Sequence, residues 1–548
     1  MRISVAQINT RLGDFKGNEE KIRSFAERAL TEQGSDLVLF PELSLCGCPP
    51  LDLLEDKAFI KANTQALEGL ARDLPPQIAV GLGYIAPAHQ GKGLANMYGI
   101  ILGGRIVFEQ PKLHLSREAY FDEGRYFQEG QELKTFEYRD EKIGFVPATL
   151  PLGPLLPKAQ AQTLSLLCAP SALPYSRGLR PQDILPGLQG GLGIPLVFIN
   201  GVGANDEIIY PGASFIAVPQ AEDRAGILTR APAMVEDLIS WDSRAPRLPL
   251  ALESQGPSEE LDQLEAALVL GIRDYMKKNG FSRIHLGLSG GLDSALVAYL
   301  AVQALGPAQV TCINNPSRFS SEGTRADAAA LALNLGCSYE VIPIEECFHA
   351  FVSTLDEVFK GQPKQKNDVT EENLQARIRG LIWMAYGNKF NSILLSGGNK
   401  SEIAMGYCTL YGDTNGAMAP IGDLLKTEVF ELCRRINQRS LSAGGPEIIP
   451  RSIIERPPSA ELRPDQKDED SLPPYEVLDG ILRDHLYRGL GREELAEQGW
   501  DPKTIEFVLK TMGQNEFKRR QLPPALRVSV RPLGMGRRIP LSRILHEI

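Results

Sequence analysis

Ile284-His285-Leu286-Gly287-Leu288-Ser289-Gly290-Gly291-Leu292-Asp293-Ser294 runs from a short apolar strand, through paired glycines, into a helix. Ile284, Leu286 and Leu288 alternate as a strand does, and Ala295 to Leu305 continues as the helix. Glycines at 290 and 291 let backbone N–H groups approach a phosphate with no Cβ in the way. The helix behind them adds the positive end of its dipole. Ser289 and Ser294 supply hydroxyl donors, and Asp293 can hold magnesium against the phosphates. No Gly-Lys-Ser/Thr follows, so this is not a Walker A loop. A glycine turn with no ligand is the bland alternative, and the strand–loop–helix setting argues against it.

Beyond the loop, Val310–Ile313 and Tyr339–Ile344 read as the next strands, with Thr324–Leu335 as the helix between them. This alternation predicts an α/β domain with a parallel sheet and flanking helices. Upstream, Leu261, Leu264, Leu268, Ile272 and Tyr275 form a helical stripe that Ser258 is expected to cap and Asn279-Gly280 to close. The Pro- and Gly-bearing stretch around 246–257 reads as a linker. It divides the chain into domains at 1–250 and 258–548, joined by 251–257. Within the first, Ile3–Ile8, Leu37–Phe40, Ile78–Leu82, Met97–Leu102 and Pro195–Asn200 are predicted strands and Asn18–Ala29 a helix. Two polar stretches, Gln362–Asp368 and Arg456–Ser471, read as mobile linkers or as loops closing over substrate.

Composition narrows the classes. A chain of 548 residues is too long for one ordinary core, and 43% hydrophobic with 23% charged residues suits a soluble globular protein. No long apolar run and no secretory profile at MRISVAQINT point to the cytoplasm and away from a membrane. Eight cysteines without a CxxC pair fit a reducing compartment, and six histidines without HExxH give no zinc site. A net charge of −10 disfavours nucleic acid, so anionic substrates require local cationic pockets.

The Ser-Gly-Gly-X-Asp-Ser loop resembles that of the N-type ATP pyrophosphatases, and along 258–548 the chain resembles the NAD synthetases. The strings that carry this are Pro316-Ser317-Arg318-Phe319-Ser320-Ser321, Glu372-Asn373-Leu374-Gln375-Ala376-Arg377, Gly398-Asn399-Lys400-Ser401-Glu402 and Thr409-Leu410-Tyr411-Gly412-Asp413. Lys426-Thr427, Pro458-Ser459-Ala460-Glu461-Leu462 and Glu516-Phe517-Lys518-Arg519 complete the set. GMP synthetases, asparagine synthetases and tRNA thiolases share the loop but not the set. The resemblance implies a doubly wound parallel sheet, ATP and Mg²⁺ as cofactors, and deamido-NAD and ammonia as substrates. It implies ATP contacts from Gly287, Leu288, Ser289, Gly290, Gly291, Leu292, Asp293, Ser294, Gly397, Lys426 and Ser459. It places Asn373, Arg377, Glu402, Asp413 and Lys518 on deamido-NAD. Asp293 and Glu402 become the metal ligands and, with Lys426, the catalytic set. At Gly397 the family usually carries a hydroxyl residue, so here either a backbone contact or Ser396 must serve.

Residues 1–250 resemble the nitrilase-type glutaminase domain of glutamine-dependent NAD synthetases, which implies an αββα sandwich. Phe40-Pro41-Glu42-Leu43 matches the segment bearing the general base, and Lys112 the lysine that steadies the tetrahedral intermediate. Phe121-Asp122-Glu123-Gly124-Arg125-Tyr126-Phe127 and Asn200-Gly201-Val202-Gly203 match further family strings. The family's cysteine lies in an Ile-Gly-Val-Leu-Ile-Cys-Glu-Asp type segment, where this chain has Ile143-Gly144-Phe145-Val146-Pro147-Ala148-Thr149-Leu150. Ala148 holds the nucleophile's place. Positions that contact glutamine in the family read Glu118, Leu173 and Leu179. A vestigial glutaminase is therefore expected, with Glu42 and Lys112 left as an ion pair or as a site for another ligand. Cys46, Cys48 and Cys168 read as core residues, with an unorthodox nucleophile as the alternative. The resemblance further implies a homo-oligomer, and a separate glutaminase partner is the remaining route to ammonia.

Overall fold

The computed structural model describes residues 1–88, 93–149, 156–179, 192–219, 225–245, 257–362, 368–464 and 466–543. The chain divides into two compact units, Met1–Gly256 and Pro257–Ile548. Residues 251–256 of the expected linker, and 363–367 of the first polar stretch, lie outside the described residues. Pro257 already opens the helix Pro257–Lys278, so Ser258 sits in its first turn instead of capping it.

In the first unit two six-stranded mixed sheets face each other. One runs in spatial order Asp237–Asp242, Arg2–Gln7, Leu37–Leu39, Ala79–Pro87, Leu94–Leu102, Arg105–Pro111. The other runs Ala225–Arg230, Phe215–Pro219, Leu196–Asn200, Leu166–Ser171, Glu141–Phe145, Thr135–Tyr138. Ile3, Leu37 and Tyr98 of the first share a buried cluster with Phe145, Cys168, Val197 and Ile216 of the second. The outer face of the first sheet, Val38 and Val80 among it, packs on Ile22 and Phe25 of the helix Phe15–Thr31 and Leu67 and Leu70 of Lys57–Asp73. Helix, sheet, sheet and a short outer helix at Lys158–Ala161 give the αββα layering.

In the second unit four strands pair in parallel in the order Ser338–Val341, Val310–Asn314, Ile284–Gly287, Ile393–Leu395. The chain steps outward from the strand at 284 to 310 and 338, then returns to 393 on the other side of its start. Such a reversal opens a crevice at the carboxyl ends of the adjacent strands Ile284–Gly287 and Ile393–Leu395, where an open α/β sheet binds its ligand. From those two ends emerge the loop at 288–291 and the segment 396–402. Among the described residues no helix is long and apolar enough to cross a membrane.

The C-terminal segment is pinned to the helix Lys400–Met405 through a buried ion pair. Lys400 is fully buried and its Nζ donates to Asp423 Oδ1 at 2.7 Å, Ser529 Oγ at 2.8 Å and Arg531 O at 2.9 Å. Asp423 Oδ2 in turn accepts from the amides of Val528 and Ser529. Burial opposes the charge on Lys400, and the Asp423 carboxylate overcomes it, raising the lysine pKa. Lys400→Met strands a buried carboxylate, so we expect it to lower unfolding free energy by about 3–5 kcal/mol in a denaturant titration.

Candidate active site

The phosphate loop is shaped by its own hydroxyls. Ser294 Oγ donates to Gly291 O at 3.0 Å and accepts from the Ser289 amide at 3.3 Å, while Ser289 Oγ accepts from the Gly291 amide at 3.2 Å. The two hydroxyls lie 3.1 Å apart. Both serines therefore hold the loop's curvature. Gly290 has φ +86°, and a Cβ there would lie 2.1 Å from Thr324 O. Gly290→Ala should displace the loop from the helix Glu322–Leu335, raising KM for ATP at least about tenfold at a stability cost of about 1–3 kcal/mol. Steady-state kinetics over a range of ATP, beside a thermal melt, read both effects. Gly287 has a different cause: a Cβ on it would strike the Trp383 ring at 2.3 Å, and that indole donates to Asn315 Oδ1.

Asp293 stands in the first turn of the helix Leu292–Leu305. One of its oxygens accepts from Asn399 Nδ2 at 3.0 Å, and the other pairs with Lys426 Nζ. Lys426 opens the helix Lys426–Ser442, is 3% exposed, and lies 3.8 Å from Glu402 Oε1. Burial works against its charge, but the Asp293 and Glu402 carboxylates outweigh that and raise its pKa. Its backbone is set by Ser401, whose Oγ accepts from the Lys426 amide at 2.9 Å and donates to the buried Asp479. Glu402 closes a capping box with Asn399 at the start of Lys400–Met405. Its own pKa is pushed well above the carboxylate range, first by desolvation and then by the Asp293 charge.

Two carboxylates thus compete for one ammonium. Among the described residues no three acidic, histidine or cysteine side chains converge as a complete metal cage. A pair of carboxylates that leaves the remaining positions to phosphate and water oxygens is, however, the donor set Mg²⁺ takes. Asp293 and Glu402 fit that role, and a divalent cation would offset the desolvation and the Asp293 charge that raise the Glu402 pKa.

Four of the five residues expected to hold the dinucleotide converge on the segment Gly406–Asp413. Asn373 Oδ1 accepts from Thr409 Oγ1 at 2.8 Å, and Asp413 Oδ1 accepts from the Thr409 amide at 2.8 Å. Lys518 Nζ donates to Gly406 O at 2.7 Å and Cys408 O at 2.8 Å, and Arg377, exposed, donates to Leu410 O at 3.2 Å. Glu402 precedes this segment at the other end of its short helix. A Cβ on Gly397 would meet nothing within 4 Å, so this position faces open space. Ser396 Oγ donates to Asp413 O at 3.0 Å and is committed there.

The expected mobility of Arg456–Ser471 is corrected by its contacts. Arg456 pairs with Asp327 and reaches Gly290 O at 3.4 Å, Glu461 accepts from Thr324 Oγ1 at 3.0 Å, and Gln375 donates to Leu462 O at 3.0 Å. Asp468–Asp470 forms a turn of 3₁₀ helix, and Asp468 Oδ2 accepts from Tyr475 at 2.9 Å. Ser459 Oγ donates to Gln466 O at 2.6 Å, so its hydroxyl closes the loop it sits in. Polarity alone suggested a linker; one salt bridge and several hydrogen bonds to the phosphate-loop region and its neighbours anchor it instead. Arg456 and Asn399 were missed as site residues by the sequence reading, although both lie inside or beside its quoted strings.

In the first unit, Lys112 Nζ donates to Glu42 Oε1 at 2.5 Å and to Glu123 at 3.0 Å, and Asn96 Nδ2 bonds the same two carboxylates at 2.6 and 3.1 Å. All four side chains are buried. The Glu42 pKa is raised, by desolvation above all, against the pull of Lys112. Glu123 belongs to a family string, but its partnership with Lys112 escaped the sequence reading. The pocket above them is lined by Cys48, Phe121, Ala148, Thr149, Ala172 and Leu173. Ala148 donates its amide to Ser171 Oγ at 3.0 Å and presents only a methyl group. Residues 146–149 carry no helix, and the prolines at 151 and 154 fall outside the described residues. Cys48 is buried, its thiol pKa raised well above the usual value by desolvation and then by the Glu42 charge. Burial pushes Cys46 up to about 12.

Comparisons with known proteins agree with this division. Residues 2–232 match the carbon-nitrogen hydrolase family and residues 264–523 the NAD synthase family. The glutamine-dependent NAD(+) synthetase of Synechocystis sp. is 40% identical over 567 residues, covering 99% of both chains. That of Thermotoga maritima is 36% identical over 588 residues, covering 100% of this chain and 99% of its own. Among solved structures, the glutamine-dependent NAD+ synthetase of Acinetobacter baumannii in complex with ADP superposes with a TM-score of 0.75 at 32% identity, covering 100% of this chain and 99% of that one. With both units matched in order and the relatives aligned end to end, the chain belongs to the glutamine-dependent NAD synthetase family.

Proposed function

We propose that this chain forms NAD from deamido-NAD, ATP and ammonia, and that its hydrolase unit no longer releases ammonia from glutamine. The nicotinate carboxylate attacks the α-phosphorus of ATP and pyrophosphate leaves. Ammonia then adds to the acyl carbon and expels AMP, giving the amide. The first step brings an anion against a polyanion, so neutralising charge is the main demand on the protein. Lys426, kept protonated by Asp293 and Glu402, supplies a fixed cation at the mouth of the phosphate loop. The N-terminus of Leu292–Leu305 adds the free amides that phosphate oxygens accept from. Mg²⁺, held by Asp293 and Glu402, would shield the phosphates and draw electron density from the α-phosphorus. The segment Gly406–Asp413, braced by Asn373, Arg377 and Lys518, would seat deamido-NAD.

The observation that carries the loss of glutaminase activity is Ala148, a methyl group above an otherwise intact Glu42–Lys112–Glu123 cluster. The relatives are named as glutamine-dependent; this chain lacks the sulfur at the matching motif position. The second reading, a working glutaminase with Cys46 or Cys48 as nucleophile, is disfavoured by the burial and raised pKa of both thiols. Ammonia then comes from solution or from a separate glutaminase, in the cytoplasm, with the chain as a homo-oligomer. For the synthetase half the test is pyrophosphate release. It should require ATP and deamido-NAD together; release with ATP alone, or none with both and ammonium present, would overturn the assignment.

A further inference from the structure

Cys312 and Cys337 place their sulfurs 3.6 Å apart, the one sulfur–sulfur contact recorded among the described residues. Cys312 lies in the strand Val310–Asn314, buried, in register with Leu286 of the strand that delivers the phosphate loop. Cys337 follows Gly336, the C-cap of the helix Glu322–Leu335, and is partly exposed. The two residues thus stand at the base of both supports of the loop. The strand of Cys312 bonds Leu288 through Ile313 O and Asn314 Nδ2, and the helix that precedes Cys337 begins beside Gly290.

We propose that Cys312 and Cys337 are a reversible oxidation site, taking a hydroperoxide as oxidant and a small thiol as reductant. Cys337, the accessible sulfur, attacks as thiolate; the peroxide O–O bond breaks, one oxygen becoming sulfenic acid and the other leaving as water or alcohol. Cys312 then attacks the Cys337 sulfur, its proton leaves with the hydroxide as water, and the S–S bond forms. Two electrons pass from the thiol pair to the peroxide. The sulfurs must approach by about 1.5 Å to reach bonding distance, a movement that side-chain rotation at the helix end supplies. Hydrogen bonding from Cys312 lowers the Cys337 pKa, which favours the attacking thiolate, and the partner within reach diverts the sulfenic acid from further oxidation. Cys347 is exposed but no sulfur lies beside it, while Cys46, Cys168 and Cys433 are buried with raised pKa. A disulfide of this kind in a reducing compartment is transient, forming only under oxidant.

The test treats the full-length chain with stoichiometric hydrogen peroxide, blocks free thiols, and maps peptides by mass spectrometry. A Cys312–Cys337 cross-linked peptide, lighter by two hydrogens and lost on adding a thiol reductant, is the expected result. Cys312→Ser should leave a sulfenic acid on Cys337 that a 1,3-diketone probe captures, and Cys337→Ser should form no bond; thermal melts check that both variants fold. Both thiols still blocked after peroxide, or Cys347 oxidised while the pair stays reduced, would overturn the proposal.

Discussion

Lys426→Met is expected to lower the ammonium-driven rate of NAD formation about 10³-fold, roughly 4 kcal/mol of transition-state stabilisation. The magnitude follows from what the lysine touches. Its ammonium pairs with Asp293 and stands 3.8 Å from Glu402, and it is 3% exposed, so little water screens it. Removing it takes a fixed positive charge from the place where we propose that pyrophosphate departs, and leaves two carboxylates facing each other. Those carboxylates can recruit a cation in its stead, so part of the loss should return as Mg²⁺ is raised. Asp293→Asn should behave differently. It frees the lysine but removes one of the two oxygens proposed to hold the metal, so its principal effect is expected to be a higher Mg²⁺ requirement, with kcat less affected at saturation. Lys426→Arg keeps the charge on a longer, planar head and should fall between wild type and Lys426→Met. Rates measured across a Mg²⁺ titration separate these patterns. A Lys426→Met enzyme within tenfold of wild type would remove the lysine from the chemistry.

The parts of this site that were legible in the sequence are those encoded locally. Strand, loop and helix at 284–305 follow from alternation, paired glycines and an apolar helix, all within about twenty residues. The string at 398–402 was recognisable as a string, but its division of labour was not. In space Asn399 turns to Asp293, Lys400 to Asp423, Ser401 to the Lys426 amide, and Glu402 to its own cap and the lysine. Apart from the Glu402 cap, each partner lies far away in sequence or on another element, where no periodicity reports it. Gly287 is the same case: the loop explained Gly290, but only the fold reveals that Trp383 fills the space a side chain would need at 287. Arg456 was hidden by composition. A polar, proline-bearing stretch has the content of a linker, and what anchors it, Asp327 and Gly290 O, is visible only once the sheet brings them together. Among the edge strands, Arg105–Pro111 went unread because its apolar residues run together and do not alternate, and Thr135–Tyr138 because it is only four residues long.

Glutamine should support NAD formation at least about 10³-fold more slowly than ammonium chloride at matched nitrogen, because losing a nucleophile that acts as a unit with its base removes most of the catalysis. The pocket retains Glu42, Lys112, Glu123 and Asn96, an arrangement able to orient an amide and stabilise an oxyanion. What it lacks, among the described residues, is a sulfur at the position that matches the family's nucleophile. Ala148 offers a methyl, and Cys48, the one thiol lining the pocket, is desolvated beside a carboxylate, the setting that suppresses thiolate. Ala148→Cys restores a sulfur there, yet we expect it to leave glutamine at less than about a hundredth of the ammonium-driven rate. Leu173 is 3% exposed in the wall of the same pocket, and an apolar wall leaves a zwitterionic substrate's charged groups without partners. The Ala148→Cys enzyme should instead be alkylated at its introduced thiol by small neutral amide-like electrophiles such as iodoacetamide. If wild-type enzyme draws on glutamine at a tenth or more of its ammonium rate, a nucleophile exists that the geometry around Ala148 does not contain. If Ala148→Cys alone restores that rate, the glutamine pocket outlived the loss of its cysteine and Leu173 is no obstacle.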